Sequence, residues 1–424
     1  MSLGFEQAGF DVRAAVEIDP VHCCVHAFNF PECAVLPRSV SALSGKELEK
    51  ATGGDGIDVV FGGAPCQGFS MIGKRILDDP RNSLVRDFVR IVREVGAGYF
   101  VFENVKGLTV GSHRKFLDEL YEEFDRAGYV VRDPWRVLNA ADFGVPQSRE
   151  RLILIGARKG LKLPVYPVPT HLRPDGCDAL IGSVGPTCRD ALDDLPDAES
   201  FDGLVESDSV ETVRWGDPSD YAAEMRCLEP RHWHYGYRRE WNPGLLTSSA
   251  RTTHTAISRR RFRETPPGTV EPISRFFRLP SDGLSNTLRA GTDGARGAFT
   301  SPRPIHYRLA RCVTVREMAR LHGFPDWFRL HATKWHGARQ VGNAVPPPLA
   351  RAIAGAVMDA IGFSPRRPGR ILSLGDPALL EMDLSSASAY WQVERPPSKR
   401  DRSSGARKRK QEEIERERLA AKAC

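Results

Sequence analysis

The sequence predicts an α/β fold: a Rossmann-like, doubly wound, mostly parallel sheet with a smaller loop-rich domain inserted before its last elements. Three observations predict it. From Met1 to about Lys162, strand-like and helix-like segments alternate, which puts helices on both faces of a parallel sheet. From there to Pro304 the texture changes to Pro, Gly, Ser, Thr and Arg with weak periodicity. Helical pattern then returns at Val313 and runs into a last apolar helix. A length of 424 residues suits more than one domain.

Each element has a local cause. Met1 to Ala8 reads as a helix closed by Gly9. Ala14 to Ile18 reads as a buried strand, Ile57 to Phe61 as a second bounded by glycines, and Tyr99 to Glu103 as a third. Leu84 to Val95 has apolar residues at helical spacing. Phe116, Leu117, Leu120, Tyr121 and Phe124 line one face of the next helix, stopped by Gly128. Arg151 to Ile155 is a further short apolar run. Thr314 and Glu317 form a capping box, with Met318 and Leu321 on the apolar face. Leu349 to Ile361 is the final helix, after three prolines. The expected boundaries are 1–161 for the first part of the sheet domain, 162–304 for the insertion, 305–364 for the returning elements and 365–424 for a basic, disordered tail. From Arg395 to Cys424, eleven basic residues face five acidic ones. That segment alone matches the net charge of +6 of the whole chain, so any basic groove elsewhere must be local.

Composition excludes several classes. No apolar run approaches the ~18 residues of a membrane span. No basic stretch followed by an apolar core opens the sequence, so no secretory signal is visible and a cytoplasmic, nucleoid-associated location is expected. Nine cysteines, without a C-x-x-C pair, predict neither a disulfide framework nor a zinc site. His232, His234 and His254 lack a cysteine at ligand spacing and read as surface or groove histidines, so no metal is expected.

In doubly wound sheets, ligands bind at the carboxyl ends of strands. Three polar features sit at such ends: Glu17; the loop Gly62-Gly63-Ala64-Pro65-Cys66-Gln67-Gly68-Phe69-Ser70; and Glu103-Asn104-Val105. Neighbouring strands lie about 4.8 Å apart. If the last two strands are adjacent, Cys66 and Glu103 can face one small substrate. Each residue also has a plain reading on its own. Cys66 could be a buried small hydrophobe, Glu103 a helix cap or surface group, and Glu17 either a ribose-binding acid or a solvent-facing one.

Taken together, these residues resemble the C5-cytosine-specific DNA methyltransferases of bacterial type. Residues 62–70 look like that family's Pro-Cys signature, and Glu103-Asn104-Val105 is similar to its Glu-Asn-Val motif. Asp79 to Leu84 resembles the opening of the helix after the nucleophile loop, and Asp142 to Arg151 the Gln-x-Arg-x-Arg motif. Thr314 to Pro325 and Gln340 to Pro346 match the last two motifs in order. The resemblance covers about residues 1–362.

It implies S-adenosylmethionine as methyl donor, double-stranded DNA as substrate, and the following roles. Cys66 adds to C6 of a flipped cytosine, because C5 alone is too weak a nucleophile to take a sulfonium methyl. Glu103 bonds N3 and the N4 amino group. Arg151 contacts O2. Arg149 either assists the thiolate or makes a phosphate or structural contact. Glu17 binds the ribose, Ile18 packs on the adenine, and Pro65, Leu84, Asn343 and Val345 complete the cofactor pocket. Gln67 and Ser70 on the nucleophile loop, Arg259, Arg260 and Arg261, and Thr287 and Leu288 of the short Thr-Leu element are expected at the DNA. A monomer, functionally paired with a restriction endonuclease, is expected.

Two departures stand out. Met1 to Phe5 aligns just after the family's Phe-x-Gly-x-Gly-Gly cofactor loop, so weak cofactor binding is expected, restored by an upstream strand and turn of roughly 15 residues. Ser39 stands where many members carry an adenine-binding Asp. Two other readings stay open: a catalytically silent DNA-binding remnant, and an RNA cytosine-5 methyltransferase.

Overall fold

The computed structural model describes residues 1–64, 82–109, 114–174, 183–292 and 300–395, together with Arg416. The first half contains α1 (Ser2–Gln7), β1 (Ala14–Val16), α2 (Pro20–Asn29), β2 (Ala34–Leu36), α3 (Gly45–Ala51), β3 (Val59–Gly62), α4 (Ser83–Glu94), β4 (Tyr99–Val105), α5 (Arg114–Arg126), β5 (Tyr129–Val131), β6 (Arg136–Asn139) and β7 (Glu150–Arg158). Every strand and helix expected in this half is present within a few residues.

The main sheet runs β3-β4-β7-β5, with β6 also on β7. β3 and β4 are parallel, whereas β7 is antiparallel to β4, β5 and β6. The sheet is therefore more mixed than helix–strand alternation implies. β5 and β6 pair with successive stretches of the same edge of β7, as two halves of one broken strand. No long helix separates them from β7, and a short return reverses direction, which forces antiparallel pairing. β1 and β2 form a parallel pair of their own. Their Ala14, Val16 and Leu36 pack with Ile57 under α3 and α4.

Tyr99, Phe100, Val101 and Phe102 are all buried, because β4 is covered on both faces. One face meets α4 and α5 through Phe88, Phe116, Leu120 and Phe124, and the Phe100 and Phe124 rings stack at 3.9 Å. The other face meets α1 and a late helix.

Seven helices follow in the described residues: α6 (Cys188–Leu192), α7 (Asp220–Met225), α8 (Ala256–Glu264), α9 (Val315–Leu321), α10 (Lys334–Asn343), α11 (Pro347–Ile361) and α12 (Leu384–Trp391). α11 is the late helix behind the sheet, and its Leu349, Ile353 and Val357 share a core with Phe5 and Val101. Gly4 permits that contact. A Cβ there would lie 2.5 Å from the Ala350 Cβ. The expected capping box on α9 is formed, with Thr314 and Glu317 each bonding the other's main-chain N–H. A second core joins Cys188 and Leu192 of α6, Leu279 and Leu288, and Met318 and Leu321 of α9. Buried ion pairs bind the same layers. The Arg320 guanidinium reaches Asp194 at 3.0 Å and Asp326 at 2.7 Å.

The expected tail is folded through its first part, which corrects the reading of 365–424 as disordered. Ile371–Ser373 adds a parallel strand to Arg238–Glu240. Leu379, Leu380 and Ala387 pack on Val21, Cys24, Val25 and Phe28 of α2. Leu380, Leu384, Ala387 and Trp391 recur at helical spacing, a signal that the Pro- and Arg-rich run before them obscures. Their partner is a stripe of α2 more than 340 residues away in sequence, as in the Cys24–Trp391 contact with its separation of 367. Arg407 to Ala423, read as a charged helix or tail, lies outside the described residues apart from Arg416. No helix among the described residues is long and apolar enough to cross a membrane.

Candidate active site

The parallel register pairs Gly62 with Phe102, so the loop after β3 and the end of β4 leave the sheet side by side. Asn104 clamps the two together, its Nδ2 donating to the Ala64 carbonyl at 2.8 Å. Gly63 lies directly against Glu103. A Cβ at position 63 would sit 2.5 Å from Glu103 Oε2. In the sequence Gly63 reads only as one residue of a loop. The structure shows that this one makes room for the carboxylate.

Glu103 is paired with Arg151, Nε to Oε1 at 2.8 Å, at the antiparallel end of β7. Burial raises the Glu103 pKa above the ordinary carboxylate range, opposed by the charges of Arg151 and Arg149. A carboxyl shifted in this direction holds its proton to higher pH than a free one. Cys66, with Pro65, Gln67 and Ser70, lies outside the described residues. Replacing Gly63 by Ala is expected to push the Glu103 carboxylate aside and lower kcat by about 10²-fold, the scale of an ångström misplacement, with the melting temperature little changed. Steady-state methylation assays on the folded variant check this, and unchanged kcat would show that the carboxylate position is not critical.

Arg149 is a correction. It is 1 % exposed, and its guanidinium donates to three main-chain carbonyls: Leu288 at 2.9 Å, Gly342 at 2.8 Å and Ala344 at 2.9 Å. Those acceptors replace most of the water lost on burial, with Nε alone left without a partner. Of the two roles weighed for it, the structural one fits. It ties the start of β7 to the end of α10. Gly342 permits this meeting, since a Cβ there would come within 2.3 Å of the Ala290 amide nitrogen.

Gln147, two residues earlier, was quoted in its motif but given no role. It accepts from the Leu288 amide at 3.0 Å and bonds the His322 ring at 2.9 Å, and His322 Nε2 bonds the Ala344 carbonyl at 3.0 Å. Burial holds His322 neutral, far below the usual imidazole range. No local signal marks His322, since its partners are distant in sequence.

Leu288 is corrected likewise. At 2 % exposure it is core, not DNA surface. The Thr287 hydroxyl donates to the Ser148 carbonyl at 2.7 Å. Ser285 pairs with Gln147 in a short parallel bridge. The Thr-Leu element is therefore stitched to the start of β7.

The basic stretch on α8 also departs from expectation. Arg259 pairs with Glu199, and Arg261 lies 3.6 Å from Glu271. Both are half-buried and turned toward carboxylates. Arg260 is exposed, with only an i,i+4 partner, Glu264, at 2.8 Å. Such a surface pair is weak, so of the three this guanidinium is the one open to solvent.

On the other side, Glu17 follows β1 and accepts the Asp19 amide through Oε1 at 3.0 Å. Asp19 in turn caps α2 by accepting from the Val21 amide at 2.9 Å. Ile18 is 64 % exposed, a large apolar side chain beside a carboxylate at a strand end. Leu84 is half-buried in the first turn of α4, and Asn343 is exposed at the end of α10. Val345 is buried in the core beneath α11. Ser39 caps the 3-10 turn Val40–Ala42 through the Ser41 amide.

Comparison with known proteins follows the same lines. The model of the C-5 cytosine-specific DNA methylase family matches residues 1–359. The chain is 55 % identical over 395 residues to the Type II methyltransferase M.XorII of Xanthomonas oryzae pv. oryzae, covering 93 % of this chain and 90 % of that protein. It is 34 % identical over 364 residues to the Type II methyltransferase M1.HphI of Haemophilus parahaemolyticus, covering 84 % and 83 %. A crystal structure of a prophage-encoded E. coli protein, described as a DNA modification methyltransferase, superposes with a TM-score of 0.68 at 31 % identity, over 85 % of this chain and 96 % of that one. Glu103, paired with Arg151 beside Gly63, thus belongs to a chain that the family model matches over residues 1–359, and the protein is a member of the C-5 cytosine-specific DNA methylase family.

Proposed function

We propose that this enzyme methylates C5 of a cytosine flipped out of a specific duplex sequence, with Cys66, Glu103 and Arg151 as its reacting set. The Glu103–Arg151 pair, set against Gly63 at the end of β3, carries the reading. The Cys66 thiolate forms a bond to C6 and pushes the ring electrons toward C5. Glu103 holds a proton at N3, which neutralises the charge that builds on the ring. Arg151 fixes the carboxylate and reaches O2. S-adenosylmethionine supplies an electrophilic methyl for C5. The C5 proton then leaves, and its electron pair expels the Cys66 thiolate. The residues present suit the donor: a carboxylate at Glu17 for the ribose diol and an exposed apolar Ile18 for the adenine, with Leu84 and Asn343 alongside.

Residues 162–304 form the target-recognition part, with Arg260 on a DNA phosphate. The enzyme acts as a monomer on cytoplasmic DNA, and the Type II names of its relatives support pairing with a restriction endonuclease. Bisulfite sequencing of DNA from a methylase-free host expressing the chain is expected to show protected cytosines in one recurring sequence. Protection in transfer RNA and none in DNA would overturn the reading.

The Glu103 proton gives a pH dependence. A carboxyl whose pKa is raised keeps its proton to higher pH, so activity that needs the proton is present below that pKa and lost as pH rises through it. The kcat/KM profile is expected to carry an alkaline limb that disappears in Glu103→Gln, whose activity is low and flat. An unchanged limb in the variant would assign the titration to another group.

A further inference from the structure

The family match ends at residue 359, yet the chain folds on through α12. The apolar stripe of α2, formed by Val21, Cys24, Val25 and Phe28, belongs to a cluster made of α2 and the 371–391 segment alone. The contact is directional as well as apolar. Trp391 Nε1 donates to Cys24 Sγ at 3.2 Å, and the Gly375 amide donates to the Phe28 carbonyl at 2.9 Å. A Cβ at Gly375 would stand 2.8 Å from the Phe28 Cα, so the segment lies on the α2 backbone itself. The same segment holds the loop leading to α10. The Ala332 amide donates to the Leu380 carbonyl at 2.9 Å, and His331 Nε2 bonds the Met382 carbonyl at 3.0 Å.

Both elements held in this way carry cofactor-side residues. The α2 cap Asp19 bonds Glu17, and the Cys23 thiol donates to the Glu17 carbonyl at 3.3 Å. α10 ends at Asn343. The pose of α2 sets the direction of the Glu17 carboxylate, and nothing else in that cluster covers the outer face of α2.

We infer that the 371–391 segment is a positioning clamp for the cofactor half of the site. It sets the affinity for S-adenosylmethionine through α2 and takes no part in DNA binding or methyl transfer. The inference rests on the reading of Glu17 as a cofactor ligand.

The test uses the full chain with Trp391→Ala, Trp391→Phe and Met382→Ala, assayed well below the unfolding transition. Trp391→Ala is expected to raise the Kd and KM for S-adenosylmethionine about tenfold, with kcat at saturating cofactor and the KM for DNA unchanged. Trp391→Phe, which keeps the ring, recovers most of the affinity. A segment that merely adds stability would lower the melting temperature and leave cofactor affinity at the wild-type value, which overturns the inference. Equal losses in kcat and in both KM values also overturn it. Should Trp391→Ala not fold, Trp391→Phe and Met382→Ala decide by the same criteria. Glu17→Ala is measured alongside. If it leaves cofactor affinity unchanged, the Glu17 reading fails. If it lowers affinity while the clamp variants do not, the clamp alone fails.

Discussion

Replacing Cys66 by Ser is expected to lower kcat for methyl transfer by at least about 10³-fold, because a hydroxyl is a far weaker nucleophile than a thiolate near neutrality. The reaction has no alternative start. Without a bond at C6, C5 carries too little electron density to take a methyl, however well Glu103 and Arg151 hold the ring. DNA and cofactor binding should persist, since Glu103 with Arg151, Arg260 and Glu17 are untouched. Incorporation of labelled methyl into duplex DNA measures the loss. Trapping provides a second readout. A duplex with fluorine at the target C5 lacks the proton that must leave, so the wild type should accumulate a covalent adduct and Cys66→Ser none. Retention of a tenth of the wild-type rate would remove Cys66 from the mechanism.

The second large effect concerns folding. Arg320 is fully buried and shared by two buried carboxylates, Asp194 and Asp326. It joins α9 to the loop after α6, the layers that support the start of β7. Substitution by Leu removes the shared guanidinium and leaves Asp194 and Asp326 only their longer contacts with Arg226 and Arg316, at 3.7 Å each. Removing one partner of such a buried pair costs about 3–5 kcal/mol. Denaturant or thermal unfolding is expected to show a loss of that size, with Arg320→Lys intermediate because the fork that serves two carboxylates is gone. A loss below about 1 kcal/mol, the range of surface pairs, would show that the carboxylates find other partners.

These two predictions differ in how they could be reached. Cys66 is legible from neighbouring residues, as a cysteine on a Gly-Pro loop at the end of an apolar strand. Glu103 is legible in the same way, as the acid closing the next strand. Arg320 carries no such mark. It stands in a quoted segment, but its partner Asp194 is 126 residues away and its burial follows from packing. The same contrast separates Arg149 from Arg151. The sequence placed both in one motif, with the role of Arg149 open. Only three carbonyls from distant segments decide that Arg149 organises the site while Arg151 meets Glu103.

The amino-acid sequence by itself determined the family, the chemistry, most elements of the first half, including the glycine stop after α5, and the capping box on α9 in the second. Periodicity, caps and strand-end motifs are written in adjacent residues, and local interactions read them directly. The tertiary structure alone decided which charges are free and which are spent on structure. It turned Arg259 and Arg261 toward carboxylates, buried Leu288, cleared space at Gly63, and folded the 371–391 segment onto α2. Each of these depends on partners far away in the chain, because burial and pairing are properties of packed surfaces and not of sequence spacing.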